Sequence, residues 1–119
     1  MKNKNVRLVV SFNINNFELF RKIAKECSQY CDFSEAGTLV YDWYVSEDKA
    51  SDKLFETYEN SAALETHLLG PIFTEIAPQF KRSISWLSIE SFGQLPDTFH
   101  KLLGALPNVN WPAPVVGME

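Results

Sequence analysis

Between Val6 and Phe92 the spacing of apolar residues switches repeatedly between two and about 3.6, and the order of those switches limits the folds open to the chain. Val6, Leu8, Val10 and Phe12 share one face of VRLVVSFN (Val6 to Asn13), the pattern of a strand with one wholly apolar side. Phe17, Phe20, Ile23, Ala24, Cys27, Tyr30 and Cys31 then recur at helical spacing opposite Arg21, Lys22, Lys25 and Glu26, which predicts a helix of about four turns. Asn15 followed by Glu18 has the spacing of a capping box at its start. After a turn at Gly37, Thr38 to Ser46 reads as a second strand, with Leu39, Tyr41, Trp43 and Val45 pointing one way and Val40, Asp42 and Tyr44 the other. Glu47 to Lys53 reads as a solvated hairpin loop and Leu54 to Glu59 as the third strand.

That strand runs straight into a second helix, capped by Asn60 or Ser61, with Ala63, Leu64, His67 and Leu68 on one face. Gly70-Pro71 ends it, and Ile72, Phe73, Ile76, Ala77 and Phe80 mark a short further piece cut near Pro78. Arg82 to Phe92 reads as a fourth strand, with Ile84, Trp86 and Phe92 on one face and Leu87 and Ile89 on the other. The order β-α-β-β-α-β is the split arrangement of the ferredoxin-like α+β class, in which both helices cover one face of a four-stranded antiparallel sheet. Strand two is apolar on both sides, so the open sheet face is expected to be buried against a second copy of the chain. Residues 1–94 are expected to form this domain. Residues 95–119 form a C-terminal extension with a short helix at Asp97 to Leu103 and an extended, Pro-rich tail.

The 119 residues suffice for one domain with a core. A balance of 11 basic against 15 acidic side chains argues against general nucleic-acid binding, which needs a basic footprint. No segment is long and apolar enough to span a bilayer, and the N-terminal MKNKNVR lacks the apolar stretch and cleavage site of a signal peptide, so a cytoplasmic location is expected. Cys27 and Cys31 fall one helical turn apart, where a disulfide has poor geometry, and neither has a histidine near it in sequence. They read as structural thiols, and neither a metal cluster nor a Gly-rich phosphate loop is apparent, so no cofactor is expected.

Gly37 ahead of Tyr41-Asp42-Trp43-Tyr44, Glu56-Thr57-Tyr58 in the third strand, Ala63-Leu64-Glu65-Thr66-His67 in the second helix and Pro71-x-Phe73 after it form an ordered series. In these residues the span from about Val6 to Phe92 resembles the antibiotic biosynthesis monooxygenase family, of the quinol monooxygenase-like kind. The resemblance implies a dimeric α/β barrel, two sheets packed through their open faces, with a pocket in each subunit between sheet and helices. It also implies oxidation of a phenolic or quinol-type small molecule by O2 without metal, flavin or haem. Haem-degrading relatives fit less well, because Glu75 and Ile76 occupy the region where their iron-binding histidine is expected.

Such a reaction needs a base to make the substrate electron-rich, groups to hold the anion and a site that excludes water. His67, titrating near neutrality, fits the base; the alternative is a core-edge histidine with one hydrogen-bond partner. Tyr58 would hold a substrate oxygen, or else pack across strands. Trp43 and Trp86 would form a flat slot for an aromatic ring, or else fill the core. Asn13 would orient a carbonyl or hydroxyl, or lead the turn into Asn15. Glu56 would pair with His67 if it points inward. His100 lies in the extension and reads as a surface residue. Two other functions stay open on these residues, an isomerase in which His67 shuttles a proton on a small hydroxyketone and a non-enzymatic dimeric ligand-binding or structural barrel.

Overall fold

The apolar face of the first strand is buried at the centre of the sheet. A computed structural model describes residues 4–103 and 109–110. Strand β1 (Val6–Ile14) pairs antiparallel with both β3 (Ser51–Tyr58) and β4 (Ile84–Phe92), and β2 (Thr38–Val45) pairs antiparallel with β3 at the edge. A two-residue β5 (Val109–Asn110) adds a parallel step beside β4, giving the order β2-β3-β1-β4-β5. The four long strands and the helices on one face make the ferredoxin-like α+β fold. Apart from Asn110, the Pro-rich tail lies outside the described residues.

Helices α1 (Phe17–Ser34) and α2 (Ser61–Leu69) cover the sheet because their apolar stripes match its apolar face. Val6, Leu8, Val10 and Phe12 of β1 and Leu54 of β3 are buried with Phe20, Ile23 and Cys27 of α1 and Leu64 and Leu68 of α2. A π-helical turn (Ile72–Ile76) and a 3-10 segment (Ala77–Arg82) follow α2 and bury Ile72 and Phe80 in the same core. Helix α3 (Asp97–Leu103), with the bounds expected, adds Phe99 and Leu103, and the Thr98 hydroxyl donates to Glu65 of α2. Among the described residues no helix is long and apolar enough to cross a membrane.

Several local expectations are corrected. The cap of α1 is Asn16, whose side chain accepts from the Leu19 N–H at 3.1 Å, so the cap falls one residue after Asn15. The hairpin loop is shorter than its polar composition predicts. The Ser46 and Asp48 side chains close it, β3 begins at Ser51, and Asp52 is only 2% exposed because the register sets it beside Val45 and Phe12 on the helix face. Strand β4 starts at Ile84, since Arg82 belongs to the 3-10 segment before it. Leu39 is exposed, lying at a register shift between Thr38 and Val40. Gly70 does end α2, but with extended backbone (φ −87°, ψ 176°) rather than the left-handed turn.

Gly37 has a steric origin. A Cβ there would stand 2.7 Å from the Ala63 Cβ, so the missing side chain is what lets β2 approach α2. The opposite face of the sheet carries Val9, Val40, Tyr44, Phe55, Trp86 and Phe92 by register, and all but Val9 expose large apolar surface. Arg7, Asp42, Lys53 and Glu90 are interspersed among them.

Candidate active site

Strand β3 points every second residue at the helices, so Glu56 and Tyr58 share the buried face with Leu54. Helix α2 lays His67 over them, and the end of α1 brings Glu35 behind it. His67 is 5% exposed. Its Nδ1 lies 2.8 Å from Glu35 Oε1, and its Nε2 lies 3.8 Å from Glu56 Oε1. The Glu35 Oε1 also accepts from the Thr38 hydroxyl at 2.9 Å and the Cys31 thiol at 3.6 Å. On the other side the Tyr58 hydroxyl donates to Glu56. The result is one buried polar row, Glu35, His67, Glu56 and Tyr58, inside an apolar core.

The protonation states follow from competing effects. Burial presses the His67 pKa down, but the hydrogen bond it donates to Glu35 and the charges of Glu56 and Glu35 outweigh it, so the net shift is upward. Burial alone would keep the imidazole neutral, and the two carboxylates reverse its effect. Burial likewise pushes Glu35 up, yet the hydrogen bond and charge of His67, aided by Thr38 and Cys31, bring it below the ordinary carboxylate value. Glu56 is raised: its burial and the charge of Glu35 exceed the help from His67 and Tyr58. Glu35 is thus the ionised partner, and the proton on Nδ1 of His67 points to it.

His67 and Glu56 line one end of a cavity of about 570 Å³ between the sheet and the helical layer. Its walls are chiefly hydrocarbon and aromatic: Leu8, Val10 and Phe12 of β1, Tyr41 and Trp43 of β2, Phe73 and Phe80 after α2, and Leu102 and Leu103 of α3. The Trp43 indole N–H donates to the Ser28 hydroxyl at 2.8 Å, and its ring stacks on Phe12 with centroids 6.0 Å apart. The Tyr41 ring lies 5.8 Å from the His67 ring.

Of the residues singled out from sequence, the fold brings His67, Glu56 and Trp43 into this cavity. Tyr58 is fully buried and does not line the cavity, and its hydroxyl donates to the Glu56 carboxylate. Trp86 touches the cavity rim but stands opposite Asn13 on the other sheet face, 41% exposed, while the ring partners of Trp43 are Phe12, Phe20, Tyr41 and Phe80. The two tryptophans form no slot. Asn13 is exposed, away from the cavity, at the register shift that precedes Ile14. His100 is exposed on α3, its ring 6.0 Å from that of Phe99.

Sequence reasoning missed Glu35, Tyr41, Phe80 and Lys81. Glu35 follows Cys31 at one helical turn, a spacing that marks a shared face but names no partner. It also missed that the fold carries His67 to the cysteine helix. Cys31 Sγ, Glu35 and His67 offer donor atoms within 4.8 Å of one another, a set of types that metals take. Burial pushes the Cys31 thiol strongly up, and it donates to Glu35 Oε1, which Thr38 and His67 also reach, while Glu35 Oε2 is buried without a hydrogen-bond partner.

No protein-family model matches the sequence, and no curated protein does. Solved structures do share the fold. A protein of Caulobacter crescentus described as a "putative antibiotic biosynthesis monooxygenase" is 18% identical over 79% of this chain and 92% of its own, with a TM-score of 0.70. A Bacteroides thetaiotaomicron protein of the same description is 19% identical over 72% of this chain and 85% of its own, at 0.67. MupZ from Pseudomonas fluorescens is 19% identical over 92% of this chain and 88% of its own, at 0.71. At such identities the likeness establishes the fold.

Proposed function

We propose that the chain is a homodimeric, cofactor-independent monooxygenase of the antibiotic biosynthesis monooxygenase kind, acting on a phenolic or quinol-type small molecule with O2. The observation that carries the reading is His67 at the buried end of an apolar, aromatic-walled cavity, with Glu35 bound to its rear nitrogen. Similar structures described by that activity support it. A phenol hydroxyl facing Nε2 gives its proton to His67, and Glu35 stabilises the imidazolium that forms. The electron-rich anion then reduces O2 directly, in walls that keep water out. One oxygen atom enters the product and the other leaves as water. All electrons come from the substrate, so a quinol ends as a hydroxyquinone. Tyr58 holds Glu56, and Glu56 holds the proton balance at Nε2. The isomerase alternative needs a polar cradle for a small phosphorylated ketone, whereas the lining here has a single basic residue, Lys81.

Dimerisation through the open face covers Val40, Tyr44, Phe55 and Phe92. The catalytic test is oxygen uptake with a panel of hydroquinones. His67→Asn keeps a donor toward Glu35 but removes the base, and uptake should fall by roughly two to four orders of magnitude. Equal uptake by wild type and variant would overturn the reading.

A further inference from the structure

Glu35 carries a buried oxygen that no described residue satisfies. The residue is 8% exposed, and its Oε2 has no hydrogen-bond partner, while Oε1 meets the Cys31 thiol at 3.6 Å and His67 Nδ1 at 2.8 Å. A bare carboxylate oxygen in the core is costly, and a bound cation is one of the few groups that satisfies it. The donors beside it are of the kinds such an ion takes. Thiol sulfur, imidazole nitrogen and carboxylate oxygen, all within 4.8 Å of one another, suit a borderline-soft divalent ion and not Mg2+ or Ca2+. Metal bonds of about 2.0–2.3 Å at tetrahedral angles set neighbouring donor atoms roughly 3.3–3.6 Å apart. The sulfur–oxygen separation already fits, and the nitrogen–oxygen separation has to open by about half an ångström.

The surroundings suit an ion as well. A metal on Nδ1 leaves the ring proton on Nε2, which faces the Glu56 carboxylate at 3.8 Å, and Glu56 in turn accepts from Tyr58. That is the carboxylate–histidine–metal arrangement that orients a ligating imidazole. One thiolate and one carboxylate balance the charge of a divalent ion, so the occupied site adds no net charge to the core. A pocket of about 260 Å³, sharing no lining residue with the cavity, is lined by Glu35 and Thr38 and opens among exposed Ser34, Glu59 and Ala62. It gives an ion a route to Glu35 from solvent, past the Glu59 carboxylate.

We propose that Cys31, Glu35 and His67 form an inhibitory site for a divalent cation of the Zn2+ class. The ion displaces the Cys31 thiol proton and the proton on Nδ1, both of which leave to solvent, and no electron is transferred. With metal on Nδ1 and the proton on Nε2, His67 cannot take a proton from a molecule in the cavity. The inhibition rests on the reading of His67 as the base, whereas the site itself does not.

The test uses the full, untagged chain. Co2+ should bind one per chain and give a thiolate-to-cobalt charge-transfer band with the strong visible bands of tetrahedral cobalt, and Zn2+ should abolish both by displacing it. Calorimetry should give a Zn2+ affinity on the order of micromolar or tighter, with no binding of Mg2+ or Ca2+. Cys31→Ser should lose the band, and Cys27→Ala should keep it. In wild type, Zn2+ should move the NMR ring signals of His67 and leave those of His100, a readout that needs no variant. No charge-transfer band, a band that survives Cys31→Ser, or unmoved His67 signals would overturn the site. Oxygen uptake with hydroquinones should stop with Zn2+ and return with a chelator, and Zn2+ should not stop it in Cys31→Ser. Uptake unaffected by Zn2+ at a site the cobalt spectrum confirms would overturn the inhibition and count against His67 as the base. No uptake even without metal would overturn the oxygenase reading, and the cobalt spectrum would still decide the site.

Discussion

Oε1 of Glu35 and Nδ1 of His67 lie 2.8 Å apart, though 32 residues of chain separate them. Both groups are buried, so neither has water to fall back on. The contact decides which nitrogen of His67 carries a proton and how strongly the ring holds it.

Glu35→Gln should shift the pH dependence of turnover. In the wild type the His67 pKa is raised, so the base is freed only as pH rises through that value. Without the carboxylate, burial acts with less opposition and the pKa falls. The acid limb of kcat/KM should move to lower pH, and the ring signals of His67 in an NMR titration should follow. An unmoved limb would remove Glu35 from the mechanism. The pair also sets stability. The raised His67 contributes fully below its unfolded value of 6.5 and is lost as pH rises through its folded value. The lowered Glu35 contributes above 4.5 and is lost as pH falls. Melting temperature should therefore fall at both flanks of that window, less so in Glu35→Gln.

Tyr58→Phe should act on Glu56 and not on substrate affinity. The hydroxyl hydrogen bond lowers the Glu56 pKa, so its loss should raise that pKa further. Carboxyl NMR should detect the rise, and stability should drop by about 1 kcal/mol. A large rise in KM with an unchanged Glu56 titration would place Tyr58 in contact with substrate after all.

Gly37→Ala should destabilise by about 1–3 kcal/mol, the scale of overpacking, because the new methyl meets Ala63 at 2.7 Å. Ala63→Gly alone should cost about 1 kcal/mol of helix propensity. The double variant should recover most of the Gly37→Ala loss, a coupling that urea unfolding of the four proteins measures.

Asp52→Asn should stabilise the protein at alkaline pH. Both carboxylate oxygens are buried without partners, and burial pushes the pKa up to about 7 from 3.8. Native Asp52 thus holds a proton that the unfolded chain has released, and stability falls as pH rises from 3.8 to about 7, then levels. The gain in Asp52→Asn should grow across that interval, to about 1–2 kcal/mol. A pH-independent difference between variant and wild type would show that the carboxyl does not titrate there.

Phe55→Glu should yield a monomer. Phe55 and Tyr44, their rings 5.4 Å apart, stand on the open sheet face, and a stable interface there should bury about 2,000 Å² or more. Sedimentation equilibrium at micromolar concentration should give a dimer for wild type and a monomer for the variant. A monomeric wild type would end the dimer proposal.

The sequence by itself determined the order of elements, the bounds of α3 and the buried faces of β1 and α2. Those follow from local periodicity, since side-chain direction repeats every two residues in a strand and about every 3.6 in a helix. His67 was legible on the inner face of α2 for that reason, and Glu56 and Tyr58 were legible as residues sharing one face of β3. Tertiary structure alone decided which residues meet. Register shifts between Asn13 and Ile14 and between Thr38 and Val40 set where Ile84 and Leu39 point, and periodicity read along one strand cannot locate a shift defined by its neighbour. Asp52 looked solvated by composition and is buried because its pairing carries it past the turn. The proton affinity of His67 took its sign from Glu35 and Glu56. Burial, the one influence readable from an apolar stripe, acts in the opposite direction, and short-range charge in a low-dielectric interior exceeds it.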